Sequence, residues 1–283
     1  MAVIALASAS GAPGVTTTAL ALTLLWPRPA LLVEAAPYGS SAVLAGYLRG
    51  AVAPGGRSVL GLARAHRLGR LSEAIDENAV PLDGEGRHRL LPAIAQPEQA
   101  SSLRQLWEPL CEVLADLGSP GPEADGGHVT DGPGTGGYDV IVDAGRLGAA
   151  GGPEPLVARA DLVLLCVRTA LPAIAAARAR LQSLDAQGRV ALAIVGDGRP
   201  YTGAEISRLT ATPVLTSLAW DPPAAEVLAV GATRPRRWES SAFLRSAAAA
   251  AETIQREVDI TGRRAVPPDV RHLDAATPAG VSR

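Results

Sequence analysis

The sequence contains no lysine: all 26 basic side chains in this chain of 283 residues are arginine. This absence excludes a Schiff-base lysine, a lysine general base and the lysine of an ordinary phosphate-binding loop. A GC-rich genome would account for the bias, because the chain has 54 alanines and 30 glycines but one Asn, one Phe and one Met. Whatever its origin, the absence has the same effect on any active site.

A strong net charge is also missing. The 28 acidic side chains nearly balance the arginines, which leaves a net charge of −2 and an isoelectric point near 6.1. DNA or membrane contact is therefore not indicated by the sequence, and either would need a local patch. Cysteine is scarce too, since Cys111 and Cys166 lie far apart in apolar stretches without CxxC spacing. This pattern favours a reduced, cytoplasmic interior, and the four histidines have no metal-site spacing with the cysteines.

The first 27 residues carry no charged side chain, so a signal peptide or a membrane span has to be considered. A signal peptide needs a basic segment before its apolar core, and none is present here. A span needs about 20 unbroken apolar residues, whereas Gly11, Pro13 and Gly14 interrupt this stretch and three threonines follow. We therefore expect neither, and we expect a cytoplasmic protein.

Short apolar runs of strand length alternate with helical stretches along the chain. This alternation predicts parallel strand pairing with right-handed crossovers. The runs are apolar on both faces, as in a sheet that helices cover on both sides. We therefore predict an α/β fold with a doubly wound, mostly parallel sheet and helices on both faces. The predicted strands are Val3–Ala7, Ala30–Glu34, Arg87–Ile94, Tyr138–Asp143, Asp161–Val167, Val190–Val195 and Val214–Leu218.

Helices are expected between these strands, and residues 1–260 are expected to form one α/β domain. Ser40 is the predicted N-cap of the helix after the second strand. Residues 119–137 include seven glycines and three prolines, so we predict a flexible surface loop there. Residues 261–283, which contain three prolines, are predicted to form a disordered C-terminal tail. The predicted helices are Thr16–Trp26, Ser40–Leu48, Ser58–His66, Leu71–Glu77, Pro97–Leu117, Leu171–Gln187, Gly203–Leu209, Ala224–Val230 and Trp238–Val258.

A glycine-rich segment, SGAPGVTTT, occupies residues 10–18, directly after the first predicted strand and before a helix. Small residues there let backbone N–H groups and the helix N-terminus approach an anion closely. Taken alone, the segment could equally be a plain glycine-rich turn. Glu34 and Asp143 end two other predicted strands, and open α/β folds bind ligands where such strands end. Acidic side chains at that edge suit a magnesium shell or a water-orienting carboxylate.

In order and spacing these motifs resemble the ParA/MinD family of deviant P-loop ATPases, whose loop pattern is K-G-G-x-G-K-[ST]-T. Residues 10–17 align with that pattern without a gap: Gly11 and Gly14 match glycines, and Thr16 matches the metal-binding hydroxyl. Both family lysines are missing, because Ser10 and Val15 stand in their places. The resemblance implies that the nucleotide-binding loop consists of Gly11, Ala12, Pro13, Gly14, Val15, Thr16 and Thr17.

The resemblance continues over about 230 residues. Asp161–Arg168 is similar to a family strand, and Thr212–Asp221 is similar to the segment whose following loop lines the adenine pocket. The resemblance thus implies a nucleotide contact at Asp221. Where the family often has an asparagine that contacts the base, this chain has Val195–Asp197, which is an approximate match.

Two further motifs concern the metal and the switch region. Asp143 matches the Walker B aspartate, so the resemblance implies Thr16 and Asp143 as magnesium ligands. The family motif D-x-D-P falls on EAAP, which begins at Glu34 and ends at Pro37. The implied switch region therefore contains Glu34, Ala36 and Pro37, with Ala36 in place of an aspartate that the family uses in hydrolysis.

The loss of these family residues should weaken both nucleotide binding and hydrolysis. A charge-assisted contact to a phosphate contributes about 1.5–3 kcal/mol, so losing two would weaken nucleotide binding roughly 10²–10⁴-fold. Arg146 is the nearest arginine in sequence that could compensate. Hydrolysis should suffer more, because electrostatic stabilisation supplies most of its catalysis and Ala36 cannot position water. We expect weak or absent binding of ATP or ADP with Mg²⁺, and a hydrolysis-deficient protein.

Family members with eroded P-loops resemble the CpaE/TadZ group, which positions pilus or secretion machinery. We therefore favour a localisation or scaffold factor for a pilus, secretion or cell-pole assembly. The resemblance implies protein partners from a secretion, pilus or partition system, and a homodimer. An active ATP-dependent partitioning or positioning ATPase is the first alternative.

A second alternative is an NAD(P)-dependent Rossmann oxidoreductase, because Glu34 follows the glycine-rich turn by about 20 residues. Against it, the turn is not G-x-G-x-x-G, and a Tyr-x-x-x-Lys pair cannot exist without lysine. An arginine cluster before and within the last predicted helix allows contact with DNA phosphates or acidic partners, or forms a solvated helix face. It consists of Arg234, Arg236, Arg237 and Arg245.

Overall fold

Strands with apolar side chains on both faces form the centre of the molecule. The computed structural model describes residues 1–11, 13–51, 56–116, 137–184 and 186–265. In these residues eight strands form one sheet. They are β1 (Val3–Ser8), β2 (Ala30–Glu34), β3 (Val80–Pro81), β4 (His88–Leu91), β5 (Asp139–Arg146), β6 (Leu162–Arg168), β7 (Arg189–Val195) and β8 (Val214–Leu218).

The strands lie side by side in the order β3-β4-β2-β5-β1-β6-β7-β8. Neighbouring strands are parallel except β3 and β4, which pair antiparallel. The predicted doubly wound, mostly parallel fold is therefore confirmed. Because β1 lies between β5 and β6, the loop that follows β1 is at the middle of the edge where the parallel strands end.

Helices cover both faces of the sheet. They are α1 (Val15–Leu24), α2 (Ala42–Ala45), α3 (Val59–Arg67), α4 (Leu71–Asn78), α5 (Trp107–Asp116), α6 (Glu154–Arg159), α7 (Leu171–Ser183), α8 (Gly203–Thr210), α9 (Pro222–Ala229) and α10 (Ala242–Ala265), with 3₁₀ helices at Pro97–Leu103 and Trp238–Ser240. Successive strand side chains point to opposite faces. In β1, Ile4 and Leu6 therefore pack with α1, α9 and α10, whereas Ala5 and Ala7 pack on the other face with α3–α8.

The predicted helix Pro97–Leu117 is divided in the structure. A 3₁₀ helix ends at Leu103, and α5 begins at Trp107. Pro109 explains the break, because a proline has no N–H and its ring clashes with the carbonyl four residues earlier. Within the first turn of a new helix that N–H has no partner in any case, so α5 accommodates Pro109 there.

Other boundaries also differ from the sequence prediction. Strand β3 and helix α6 were not predicted, since two and six residues are too short to show a clear apolar period. The N-cap of α2 is Ser41, whose Oγ accepts a hydrogen bond from the Leu44 N–H at 3.0 Å. The prediction of Ser40 as the cap was therefore wrong by one residue, because Ser40 has a positive φ of 53°.

The last helix is longer than predicted. Helix α10 continues to Ala265, seven residues beyond the predicted end at Val258. The first proline after the predicted end at Val258 is Pro267, and nothing earlier removes a backbone donor. Residues 266–283, and the predicted loop 119–137 except Gly137, lie outside the described residues. In the described part of the chain, no helix is long and apolar enough to cross a bilayer.

Candidate functional site

The loop between β1 and α1 presents an open helix N-terminus. Gly14 is the residue before α1 and has φ 88° and ψ 31°, a left-handed conformation that glycine adopts without steric cost. No side chain caps the helix, and its first intrahelical bond is donated by the Thr18 N–H to the Gly14 carbonyl at 2.8 Å. The first N–H groups of α1 are therefore available to an anion.

Thr16 and Asp143 are in contact beside this loop. Asp143 is opposite Leu6 in the pairing of β5 with β1 and is 1% exposed. Its carboxylate accepts hydrogen bonds from the Thr16 side chain and from the Gly145 N–H, the latter at 3.0 Å. Burial raises the pKa of Asp143 above its ordinary value, and the two hydrogen bonds oppose that effect. The structure thus brings together the two residues that the sequence proposed as magnesium ligands.

A cavity of about 490 Å³ lies along the same loop. Its wall includes Arg146, which lies at the end of β5 and carries a positive charge. The Tyr38 hydroxyl donates to the Arg146 carbonyl at 2.7 Å, so the segment after β2 holds the end of β5 in place. Predicted residues in the lining are Pro13, Gly14, Val15, Thr16, Thr17 and Ala36, joined by Ser8, Leu20, Ala42, Leu228 and Ala229.

Two of the three substituted positions, Val15 and Ala36, line this cavity without contributing a polar side chain. Val15 is 6% exposed and packs in the apolar layer formed by α1, α9 and α10. Ala36 faces Gly145 so closely that a Cβ atom at Gly145 would lie 2.7 Å from the Ala36 Cβ. Gly145 has φ 61°, so both its conformation and its surroundings favour glycine. At these two positions the wall is apolar and tightly packed.

The Glu34 carboxylate is buried inside the protein and does not line the cavity. It is 3% exposed and accepts hydrogen bonds from the Ser41 hydroxyl, the Val43 N–H at 3.2 Å and the Ala93 N–H at 3.2 Å. These bonds join the N-terminus of α2 to the segment after β4. Burial raises the pKa of Glu34 to about 7, the Ser41 hydrogen bond opposes this, and the charge of Asp143 adds to it. Glu34 therefore holds the switch segment together.

The pKa of Glu34 predicts a pH-dependent stability. The folded value of about 7 exceeds the ordinary 4.5, so the folded protein retains a proton that the unfolded chain releases. The stabilisation that this bound proton gives to the folded state is complete below about pH 4.5 and is lost as the pH rises to about 7. The free energy of unfolding of wild type minus that of Glu34→Gln should fall by about 3 kcal/mol across this range. Urea denaturation without nucleotide or magnesium measures it, and a pH-independent difference would contradict the prediction.

Three other predicted residues, Gly11, Pro37 and Asp221, do not line the cavity. Gly11 is exposed and a Cβ there would meet no atom within 4 Å, whereas Ala12 lies outside the described residues. Pro37 is buried, and Asp221 is the N-cap of α9 without a side-chain capping bond. The Asp197 carboxylate accepts a hydrogen bond at 2.7 Å from the N–H of Gly203, the first residue of α8.

Sequence reasoning missed several residues of the cavity wall, of which Tyr38, Leu228 and Ala229 are examples. Tyr38 directly follows the switch motif, so its position was a usable signal. Leu228 and Ala229 belong to α9, more than 200 residues along the chain from the loop. No local pattern connects them with it, because their contact depends on how α9 packs against α1.

No family model matches the sequence, and no curated protein matches it. Solved structures do resemble the fold. The MinC:MinD cell division protein complex of Aquifex aeolicus matches with a TM-score of 0.62 and 17% identity, over 95% of this chain and 98% of that chain. MinD complexed with Mg-ADP from Pyrococcus horikoshii OT3 matches with 0.62 and 15%, over 92% and 98%. A ParA family ATPase from Chlorobium tepidum TLS matches with 0.61 and 15%, over 89% and 97%.

These likenesses define the class of fold. The chain has the P-loop NTPase fold, with a mostly parallel sheet between two helical layers. Within that class, its arrangement is that of the MinD and ParA structures over nearly their whole length. At identities of 15–17% the comparison concerns the fold, so activity must be argued from the site itself.

Proposed function

We propose that this protein is a ParA/MinD-type localisation or scaffold factor that serves a pilus, secretion or cell-pole assembly and hydrolyses ATP weakly or not at all. The observation that carries the proposal is Val15. It occupies the position of the family's phosphate-gripping lysine, and its side chain is buried in the core. The chain contains no lysine that could supply the missing charge from another position.

The loop retains features that suit a nucleotide with magnesium. The open N-terminus of α1, entered through Gly14, offers backbone N–H groups to phosphate oxygens. Thr16 and Asp143 offer a hydroxyl and a carboxylate, and Mg²⁺ completes such a shell with waters and phosphate oxygens. Within the described residues, no group of three or more His, Cys, Asp or Glu side chains could hold a metal by itself. Arg146 in the cavity wall is placed to compensate for part of the missing charge.

Hydrolysis is less well supported than binding. A bound Mg²⁺ neutralises phosphate charge, but the transferring phosphoryl group needs further positive charge and an oriented water molecule. Val15 and Ala36 provide neither, and the Glu34 carboxylate is engaged by Ser41, Val43 and Ala93. The loss should therefore fall mainly on catalysis. The same burial of Glu34 weighs against the nicotinamide alternative, because a Rossmann acid must reach a ribose hydroxyl.

Partners are proposed by analogy with structures that share the fold. One of these structures is a MinC:MinD complex, and others are plasmid partition proteins. They support a role in which this chain binds other proteins, as a homodimer in the cytoplasm. A positioning role of this kind needs a folded surface and no turnover.

Calorimetry with ATP, ADP and Mg²⁺, together with a phosphate-release assay, tests the proposal. We expect no ATP turnover above background and weak binding at most. Any binding should disappear in Asp143→Ala, which removes the carboxylate beside Thr16. Asp161→Ala is the matched control, because Asp161 lies before β6, at the opposite end of that strand from the site.

Two outcomes would reject the proposal. Steady ATP hydrolysis, with a molecular mass that doubles only with ATP and Mg²⁺, would support the active partitioning ATPase. The retained contact between Thr16 and Asp143 is the observation that favours that alternative. A rise in melting temperature with NAD(H) but not with ATP would support the oxidoreductase.

A further inference from the structure

An apolar groove of about 360 Å³ opens between α1, α9 and the start of α10. Leu24 and Leu25 line it from the end of α1, and Tyr47 lines it from the segment after α2. On the other side Trp238 is held in place, since its indole N–H donates to the Ala224 carbonyl at 3.0 Å. A partly exposed apolar groove with a fixed aromatic wall is typical of a binding surface.

Positive charge is concentrated at this groove. Arg234, Arg236, Arg237 and Arg245 are all exposed, and within the described residues none of them pairs with a carboxylate. Arg234 and Arg245 line the groove itself, together with one acidic side chain, that of Glu239. The net charge of the chain is −2, so this cluster is a local feature of the surface.

Two contacts hold Arg234 and Arg245 at the groove. The Arg234 guanidinium lies over the Trp238 ring, 4.6 Å from its centroid. Arg245 donates a hydrogen bond to the Ser240 carbonyl. Neither contact neutralises the charge, because one partner is an aromatic ring and the other a carbonyl. Both guanidinium groups can therefore still bind an anionic partner.

We propose that this groove docks an acidic, amphipathic helical segment of a partner protein. Leucine-like side chains of the segment would occupy the groove, as in other helix-in-groove complexes. Its carboxylates would meet the arginines, whose planar guanidinium groups bind carboxylates through two parallel hydrogen bonds. The apolar floor favours a protein partner over a nucleic acid. Nucleic acids bind basic surfaces chiefly through their phosphates, which would leave the apolar floor uncovered. This docking does not depend on nucleotide binding at the β1–α1 loop.

Fluorescence anisotropy with the full chain and a labelled synthetic peptide tests the docking. The probe carries leucines at helical spacing and glutamates elsewhere, and a second peptide keeps the glutamates but has serine for leucine. We expect the serine peptide to bind at least about tenfold more weakly, because it cannot use the groove. Binding of the leucine peptide should weaken as salt is raised.

Two variants test the charge of the arginine cluster and the shape of the groove separately. Arg236→Glu/Arg237→Glu should weaken binding of the leucine peptide by about tenfold or more. Ala248→Phe, which places a ring in the groove from α10, should remove the advantage of the leucine peptide over the serine peptide. The matched control is Arg104→Glu/Arg178→Glu. Both arginines are exposed on the other face of the sheet, where Arg104 precedes α5 and Arg178 belongs to α7.

Three outcomes would overturn the proposal. Equal binding of both peptides would mean that the groove plays no part. Tighter binding of a 30-base-pair duplex DNA than of the leucine peptide, lost in Arg236→Glu/Arg237→Glu, would make the cluster a nucleic-acid surface. A lower molecular mass of that variant in light scattering would show that the groove is an interface between two copies of this chain.

Discussion

Asp139→Ala is expected to lower the free energy of unfolding by about 3–5 kcal/mol, because it leaves several buried donors without an acceptor. Asp139 is fully buried at the start of β5. One carboxylate oxygen accepts from the Ala2 N–H at 2.8 Å, and the other from the Trp26 indole at 2.7 Å and from Arg28 at 2.7 Å. Arg28 also pairs with Asp259 in α10 at 3.0 Å. Asp139 thus joins the residue before β1 to the segment after α1, and Arg28 extends this link to α10.

Urea denaturation followed by circular dichroism measures this loss. Asp161→Ala is the matched control, because Asp161 also accepts a hydrogen bond from a β1 backbone N–H, that of Val3 at 2.8 Å, but is exposed. Water can replace the lost acceptor there, so the control should lose less than about 1 kcal/mol. Equal losses in both variants would mean that burial of Asp139 is not what makes its hydrogen bonds important.

Val15→Lys is expected to tighten binding of ATP with Mg²⁺ by about 10–100-fold, because one charge-assisted contact to phosphate is restored. Val15 lies both in the cavity wall and at the edge of the apolar layer. The aliphatic part of a lysine can therefore remain packed while its ammonium group reaches the cavity. Calorimetry with Mg-ATP measures the change in dissociation constant.

Val15→Met is the control, because methionine has similar length and flexibility but no charge. It should leave nucleotide affinity within about threefold of the wild type. If Val15→Lys binds no more tightly than Val15→Met, the cavity beside the loop does not receive phosphate. The proposed nucleotide site would then be wrong, although the fold would be unaffected.

The sequence was sufficient to predict the fold class. Strands β1, β2 and β5–β7 are largely buried on both faces, so each appears as an apolar run between helical stretches, whereas the edge strand β8 is mostly half-buried. Shorter elements were missed, because β3 has two residues and α6 has six. The break before α5 follows from Pro109, whose effect depends on whether it falls in the first turn or the interior of a helix.

The candidate site was predictable in part. Because parallel strands end at one edge of the sheet, the motifs containing Thr16 and Asp143 were expected to converge, and these residues are in contact. The direction of the Glu34 carboxylate could not be predicted. It depends on Ser41 and on Ala93, a residue 59 positions away, both of which bind it.

The sequence by itself determined the alternation of strands and helices, and it determined that no lysine can act at any site of this protein. Those properties are local or compositional, so they can be found without knowing which segments meet. Only the tertiary structure decided that Val15 is buried and that the arginine cluster borders a groove containing Leu24 and Tyr47. The physical reason is that such contacts arise from the packing of α1, α9 and α10 over one face of the sheet, and that packing joins segments about 200 residues apart.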